Sequence, residues 1–162
     1  WATILQRREA YRSAFENFEP SKVARFSPTR VESLLQNPAI IRNRRKIEAA
    51  VQNARVFLQI QQEFGSFDRF LWSFVNGSVI QNHWENIRDL PASTPLSVEL
   101  SRNLRKRGMS FAGPTICYAY MQAVGLVNDH TTACFRYRQL APNGEVSPER
   151  MPAGKDGLDE KI

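Results

Sequence analysis

The sequence has only two cysteines in 162 residues, Cys117 and Cys134, too few for a disulfide framework. A reducing compartment is therefore expected, with the cytoplasm as the default. No apolar run approaches the ~18 residues that a membrane span needs, and the N-terminus lacks a positive segment followed by an apolar stretch. Membrane and secreted classes are set aside on those grounds. Sustained alternation of apolar and polar residues is missing too, which argues against a sheet-based architecture. No Gly-x-Gly-x-x-Gly, P-loop, Gly-x-Ser-x-Gly or Cys-x-x-Cys occurs, so the common signatures of nucleotide, acyl-transfer and four-cysteine zinc chemistry are absent.

What is present is an ordinary globular composition, 42% hydrophobic and 23% charged, which excludes disordered, collagenous and fibrous classes. A chain of this length buries about two-thirds of its unfolded surface as one domain. Apolar residues recur three and four apart, and that period predicts an all-α protein. Ile4, Tyr11, Phe15 and Phe18 share one face of the first segment, which Pro20 stops before a turn over 21–25. Ser27-Pro28 has the form of an N-cap and first-turn proline, opening a short helix with Val31, Leu34 and Leu35 inward and Asn37-Pro38 at its end. A long helix carries Ile40, Ile47, Val51, Ala54 and Leu58 as its stripe until Gly65 closes it. Ser66 caps a segment whose Phe67, Phe70, Leu71 and Phe74 make an aromatic core face. Residues 76–93 lack periodicity and read as a long connection. Thr94-Pro95 opens a further helix through Leu96, Leu100 and Leu104 to Gly108. The helical domain is expected over 1–140. Residues 141–162, rich in proline, glycine and acid, read as a disordered tail.

Net charge is +6, and the excess is concentrated. Arg42, Arg44, Arg45 and Lys46 stand at the N-terminal end of the long helix, where positive side chains oppose the helix dipole. Phosphate is one partner that would favour them there. Arg102, Arg105, Lys106 and Arg107 form a second cluster. A solvated helix face accounts for one such cluster. Two in a small domain point as readily to a polyanion drawn in by Coulomb steering and counterion release.

The second cluster leads into Gly108-Met109-Ser110-Phe111-Ala112-Gly113, after which Pro114 starts another helix. Helix, glycine-bounded turn and helix together outline a helix-hairpin-helix. Glycines let a nucleic-acid backbone approach the main chain, and N–H groups at the start of the second helix point at a phosphate. Arg105, Lys106, Arg107, Gly108, Gly113 and Thr115 are the expected DNA-binding residues, and an ordinary αα-hairpin with Gly108 as its C-cap is the plainer alternative. Phe111 is expected to anchor the hairpin from beneath. Cys117 reads as a small core residue and His83 as a surface loop histidine, since no acid or nucleophile is spaced to serve it. His130 and Cys134 are four apart, as two zinc ligands on one helical face would be, and make up half of a structural site.

The run Lys106-Arg107-Gly108, Phe111, Gly113, Thr115, Cys117-Tyr118, Met121-Gln122-Ala123, Gly125 to His130 and Cys134 closely resembles the C-terminal half of DNA-3-methyladenine glycosylase, type I. Ile40-Ile41-Arg42-Asn43 with Lys46-Ile47, Trp72-Ser73-Phe74-Val75, and the opening Trp1 to Tyr11 resemble the same family in the same order, over residues 1 to about 138. The resemblance implies a base-excision repair enzyme of the helix-hairpin-helix superfamily. Its substrate would be double-stranded DNA with alkylated bases, in which it hydrolyses the N-glycosidic bond of 3-methyladenine. Trp1 matches a family tryptophan that lines the base pocket. His130 and Cys134 match two ligands of a structural zinc.

In the family the segment before this tryptophan supplies a pocket glutamate, further aromatics, and a cysteine and histidine that complete the zinc cage. None is in this sequence, so no catalytic residue is assigned. The chain is expected to be an N-terminal truncation, slow or inactive alone, with a noncatalytic helix-hairpin-helix DNA-binding module as the alternative. A monomer is expected.

Overall fold

A computed structural model describes residues 2–140, and both Trp1 and the expected disordered tail at 141–162 lie outside the described residues. The chain begins with α1 (Ala2–Gln6), α2 (Arg8–Ala14), a 3-10 turn (Glu16–Phe18) and α3 (Pro20–Val23). Glu16, Asn17 and Phe18 hold φ of 54°, 56° and 57°, a sharp left-handed corner that breaks the helical register. Tyr11 and Phe15 of the expected stripe therefore turn inward, whereas Ile4 and Phe18 are exposed. Pro20 does more than stop the segment. It opens α3 at its first position, where a missing N–H costs nothing.

Helix α4 (Pro28–Gln36) starts as expected, with the Ser27 hydroxyl accepting the Arg30 N–H at 3.2 Å. Helix α5 (Arg44–Phe64) is the axis of the molecule. The Asn43 side chain caps it by accepting the Lys46 N–H at 3.1 Å, and Gly65 ends it at φ 81°. Ile40 is buried but precedes α5 rather than belonging to it. Ile47 and Val51 pack into a core with Phe15, Val23, Val31 and Leu34. Val56 and Ile60, absent from the single stripe read in the sequence, pack into a second core with Phe70, Leu100, Met121 and Leu126. A helix buried against two cores shows two apolar faces, and a one-face template finds only part of them.

Helices α6 (Phe67–Ser73), α7 (Pro95–Lys106), α8 (Pro114–Ala123) and α9 (Phe135–Gln139) complete the fold. Ser66 and Thr94 cap α6 and α7, the latter in a reciprocal pair with Ser97. Within the connection over 76–93, β1 (Ile80–Gln81) pairs in parallel with β2 (Val127–Asn128), Ile80 facing Val127. Strands of two residues are too short to show alternation, so no periodic signal marks them. No helix among the described residues is long and apolar enough to cross a membrane.

Candidate nucleic-acid interface

The hairpin joins the end of α7 to the start of α8. Gly108 sits at φ 102°, a conformation closed to most side chains, and a Cβ there would lie 3.3 Å from Gln52 Nε2 on α5. The Met109 N–H closes α7 on the Leu104 carbonyl at 3.0 Å. The Asn53 side chain then bonds both the carbonyl and the N–H of Ser110, and the Ser101 hydroxyl donates to the Ala112 carbonyl at 2.6 Å. Phe111 lies between these two fastenings at φ 57° and is 57% exposed. It is not the anchor expected from the sequence. The neighbouring peptides are tied to α5 and α7, and the backbone between them turns the ring to solvent.

Gly113 differs from Gly108. Its φ of −75° suits any residue, and a Cβ would meet nothing within 4 Å among the described residues. No internal packing asks for glycine, whereas the close approach of another backbone would. Gly113 is also the N-cap of α8 and contributes no side-chain acceptor. Pro114 has no N–H, so the N–H groups of Thr115 and Ile116 are left uncapped at the positive end of the helix. Thr115 is exposed beside them.

The charges divide into those matched within the fold and those left open. Arg105 and Lys106 are exposed and form no ion pair among the described residues. Arg107 departs from the expected charge beside the hairpin. Its guanidinium forms a bidentate pair with Glu63, donates from Nε to Asn103 Oδ1 at 2.9 Å, and lies 5.2 and 5.4 Å from the Phe64 and Phe70 ring centres. The hydrogen bond to Arg107 holds the Glu63 carboxyl below its ordinary range. At the start of α5, Arg44 is matched in the same way, by Glu32 at 2.6 and 2.9 Å and Glu48 at 3.6 Å.

His130 and Cys134 are brought together, with Cys134 Sγ 3.5 Å from His130 Nδ1. The helical reason expected for this is wrong, because Cys134 is the N-cap of α9 and His130 lies in the preceding loop. A zinc ion bound tetrahedrally at ordinary Zn–S and Zn–N lengths separates its sulfur and nitrogen ligands by about 3.6 Å. The pair therefore fits two corners of such a site. Among the described residues no cluster of three or more His, Cys, Asp or Glu side chains is placed to hold a metal. His83 is exposed, its Nδ1 in contact with the Tyr137 hydroxyl.

Sequence reasoning missed the half-buried anchor of this region, Asp129. The Asp129 carboxylate accepts hydrogen bonds from Asn82 Nδ2 and Trp84 Nε1 at 2.7 Å each, and from Gln122 Nε2 at 2.8 Å. Burial pushes its pKa up, but these bonds and the nearby Tyr118 hydroxyl outweigh it and leave the group below its ordinary value. The Tyr118 hydroxyl is itself buried without a well-formed hydrogen bond, and burial beside Asp129 pushes its pKa up. Asn82 and Trp84 lie 47 and 45 residues from Asp129 in a stretch without periodicity, so no local signal pairs them.

Fold and site together define a helical domain with a helix-hairpin-helix that leaves backbone N–H groups at the start of α8 uncapped and the positive charge of Arg105 and Lys106 unmatched among the described residues. The sequence model of the methyladenine glycosylase family matches residues 1–137, and the chain belongs to that family. It is 47% identical over 137 residues to DNA-3-methyladenine glycosylase 1 of Escherichia coli (strain K12), across 85% of this chain and 73% of that protein. It is 43% identical over 134 residues to DNA-3-methyladenine glycosylase of Haemophilus influenzae, across 83% of this chain and 72% of that one. A solved structure concerned with 3-methyladenine recognition by 3-methyladenine DNA glycosylase I from Staphylococcus aureus superimposes with a TM-score of 0.77. Its identity is 38%, over 83% of this chain and 71% of that one.

Proposed function

We infer that this chain is a base-excision repair enzyme, a DNA-3-methyladenine glycosylase acting on duplex DNA that carries alkylated bases. The observation that carries the reading is the family match through residue 137 together with an intact hairpin in which a Cβ on Gly113 would meet nothing within 4 Å among the described residues. Methylation at N3 places a positive charge on the base. The bond from C1′ to the base then breaks with its electron pair going to the base, which leaves neutral, and water adds to the oxocarbenium-like sugar and gives up a proton to solvent. Such a reaction needs little acid catalysis. It needs the nucleotide turned out of the stack and the base held against an aromatic face.

The hairpin's part is to hold the strand through phosphate, by the Thr115 and Ile116 N–H groups with Arg105 and Lys106 alongside. Trp1, outside the described residues, is assigned to the base pocket, where an indole face favours a cationic base. His130 and Cys134 are assigned to a structural zinc, which would tie the loop after β2 to α9. The 3.5 Å separation of the two side chains supports that assignment. The reading takes the protein to be a cytoplasmic monomer, and its two free cysteines fit a reducing compartment.

Release of free 3-methyladenine from alkylated duplex DNA, measured chromatographically against a protein-free control, tests the enzyme reading. Release above the control supports it. Duplex binding without release, by a form that also carries the family segment expected before Trp1, leaves the noncatalytic helix-hairpin-helix module as the better account.

A further inference from the structure

A groove of about 320 Å³ separates the hairpin tip from the first turns of α5. Arg45, Glu48, Ala49 and Gln52 form one wall, and Ser110 and Phe111 form the other. Arg45 is exposed and makes no ion pair among the described residues, while the one acid in the lining, Glu48, is engaged by Arg44. Arg42 and Lys46 beside it are exposed as well. The groove therefore offers net positive charge on its α5 side. Opposite stands the Phe111 ring, exposed at a φ of 57° that bulky residues rarely adopt. Holding it there costs stability, and among the described residues no other aromatic ring stacks on it.

We propose that this groove holds one sugar-phosphate unit of the bound DNA strand, with its phosphate on Arg45 and its sugar or base face on Phe111. The proposal rests on the DNA glycosylase reading, which supplies the strand. It joins the two basic clusters of the sequence into one track, because the hairpin that carries Arg105 and Lys106 is seated on α5 at Gln52 and Asn53. A guanidinium takes the charge and an aromatic face takes the nucleoside, a division of labour common where single nucleotides of a strand are gripped without reading their sequence.

The test is fluorescence anisotropy with a labelled duplex carrying a tetrahydrofuran abasic site, over a series of salt concentrations. Arg45→Ala is expected to reduce the salt slope of log K by about one, the signature of one lost phosphate contact. Phe111→Ala is expected to weaken binding by about tenfold with the slope unchanged. Phe111→Gly should weaken binding equally while keeping or raising Tm, since glycine accepts the backbone conformation without strain, which separates the ring from the fold. Binding by Arg45→Ala or Phe111→Ala indistinguishable from wild type, with Gly113→Leu still impaired, overturns the groove and leaves the hairpin reading standing. A wild-type chain that does not bind the duplex overturns the DNA reading itself.

Discussion

Asn53 and Ser110 exchange two hydrogen bonds across 57 residues of sequence, the Asn53 Nδ2 donating to the Ser110 carbonyl and the Ser110 N–H donating to Asn53 Oδ1, each at 2.9 Å. A side-chain amide here does what a neighbouring strand does in a sheet, and it fastens the hairpin tip to α5. Asn53→Ala removes both bonds and is expected to cost about 1–2 kcal/mol, with weaker duplex binding because the tip is no longer held. Native-state hydrogen exchange at the Ser110 amide decides the point. Protection unchanged in the variant would show that the tip does not depend on Asn53.

The hairpin was legible because its signals are local. Pro28, Pro95 and Pro114 mark helix starts, Gly65 and Gly108 mark ends, and each does so in the structure. The failures share a physical cause. Phe111 turns outward because of bonds from Asn53 and Ser101, and Arg107 turns inward toward Glu63, 44 residues earlier. Contacts between distant segments leave no periodic trace. His130 and Cys134 are adjacent, but a loop and an N-cap bring them together, where a helix is expected from the sequence.

Gly113 separates stability from binding. Its φ of −75° and the open space around it mean that Gly113→Leu should leave stability within about 0.5 kcal/mol of wild type. Duplex affinity should nevertheless fall, because the side chain stands where a strand must approach the α8 N-terminus. Thermal melts and anisotropy on the same preparation check both halves. A variant that unfolds early would place the demand for glycine inside the protein.

Asp129 is expected to contribute to stability through its three acceptor bonds. Asp129→Ala removes the acceptor from Asn82, Trp84 and Gln122 together and should cost about 2 kcal/mol, since each half-buried donor left unpaired carries part of the desolvation penalty. Asp129→Asn should cost less. It keeps one oxygen for Asn82 and Trp84, and Gln122 is free to turn its own carbonyl toward the new amide. Urea denaturation ranks the three proteins. Equal stability of Asp129→Ala and wild type would show that the network adds nothing.

Zinc is expected to bind at His130 and Cys134 weakly. Among the described residues only these two ligands are placed together, which falls far short of the roughly 10–16 kcal/mol of a complete structural site. Titration against a chromophoric chelator should give an affinity that both His130→Ala and Cys134→Ser abolish. Binding that survives both substitutions would move the metal elsewhere.

Arg105 and Arg107 are two residues apart and are expected to behave oppositely. Arg107 is paired with Glu63 and stacked near Phe64 and Phe70, so its charge is already matched. Arg107→Met keeps an apolar stem but loses the fork and the ring contacts, and should cost about 1–2 kcal/mol while leaving the salt dependence of duplex binding unchanged. The ion pair itself adds little to that figure, because the Glu63 side chain is half exposed. Arg105→Ala should leave Tm unchanged and reduce the salt slope by about one, because its charge is open to a phosphate. The two variants, melted and titrated side by side, form a crossed test. If the slope changed with Arg107 and not with Arg105, Arg107 would have to leave Glu63 when DNA binds, and the division of charges drawn from the free protein would be overturned.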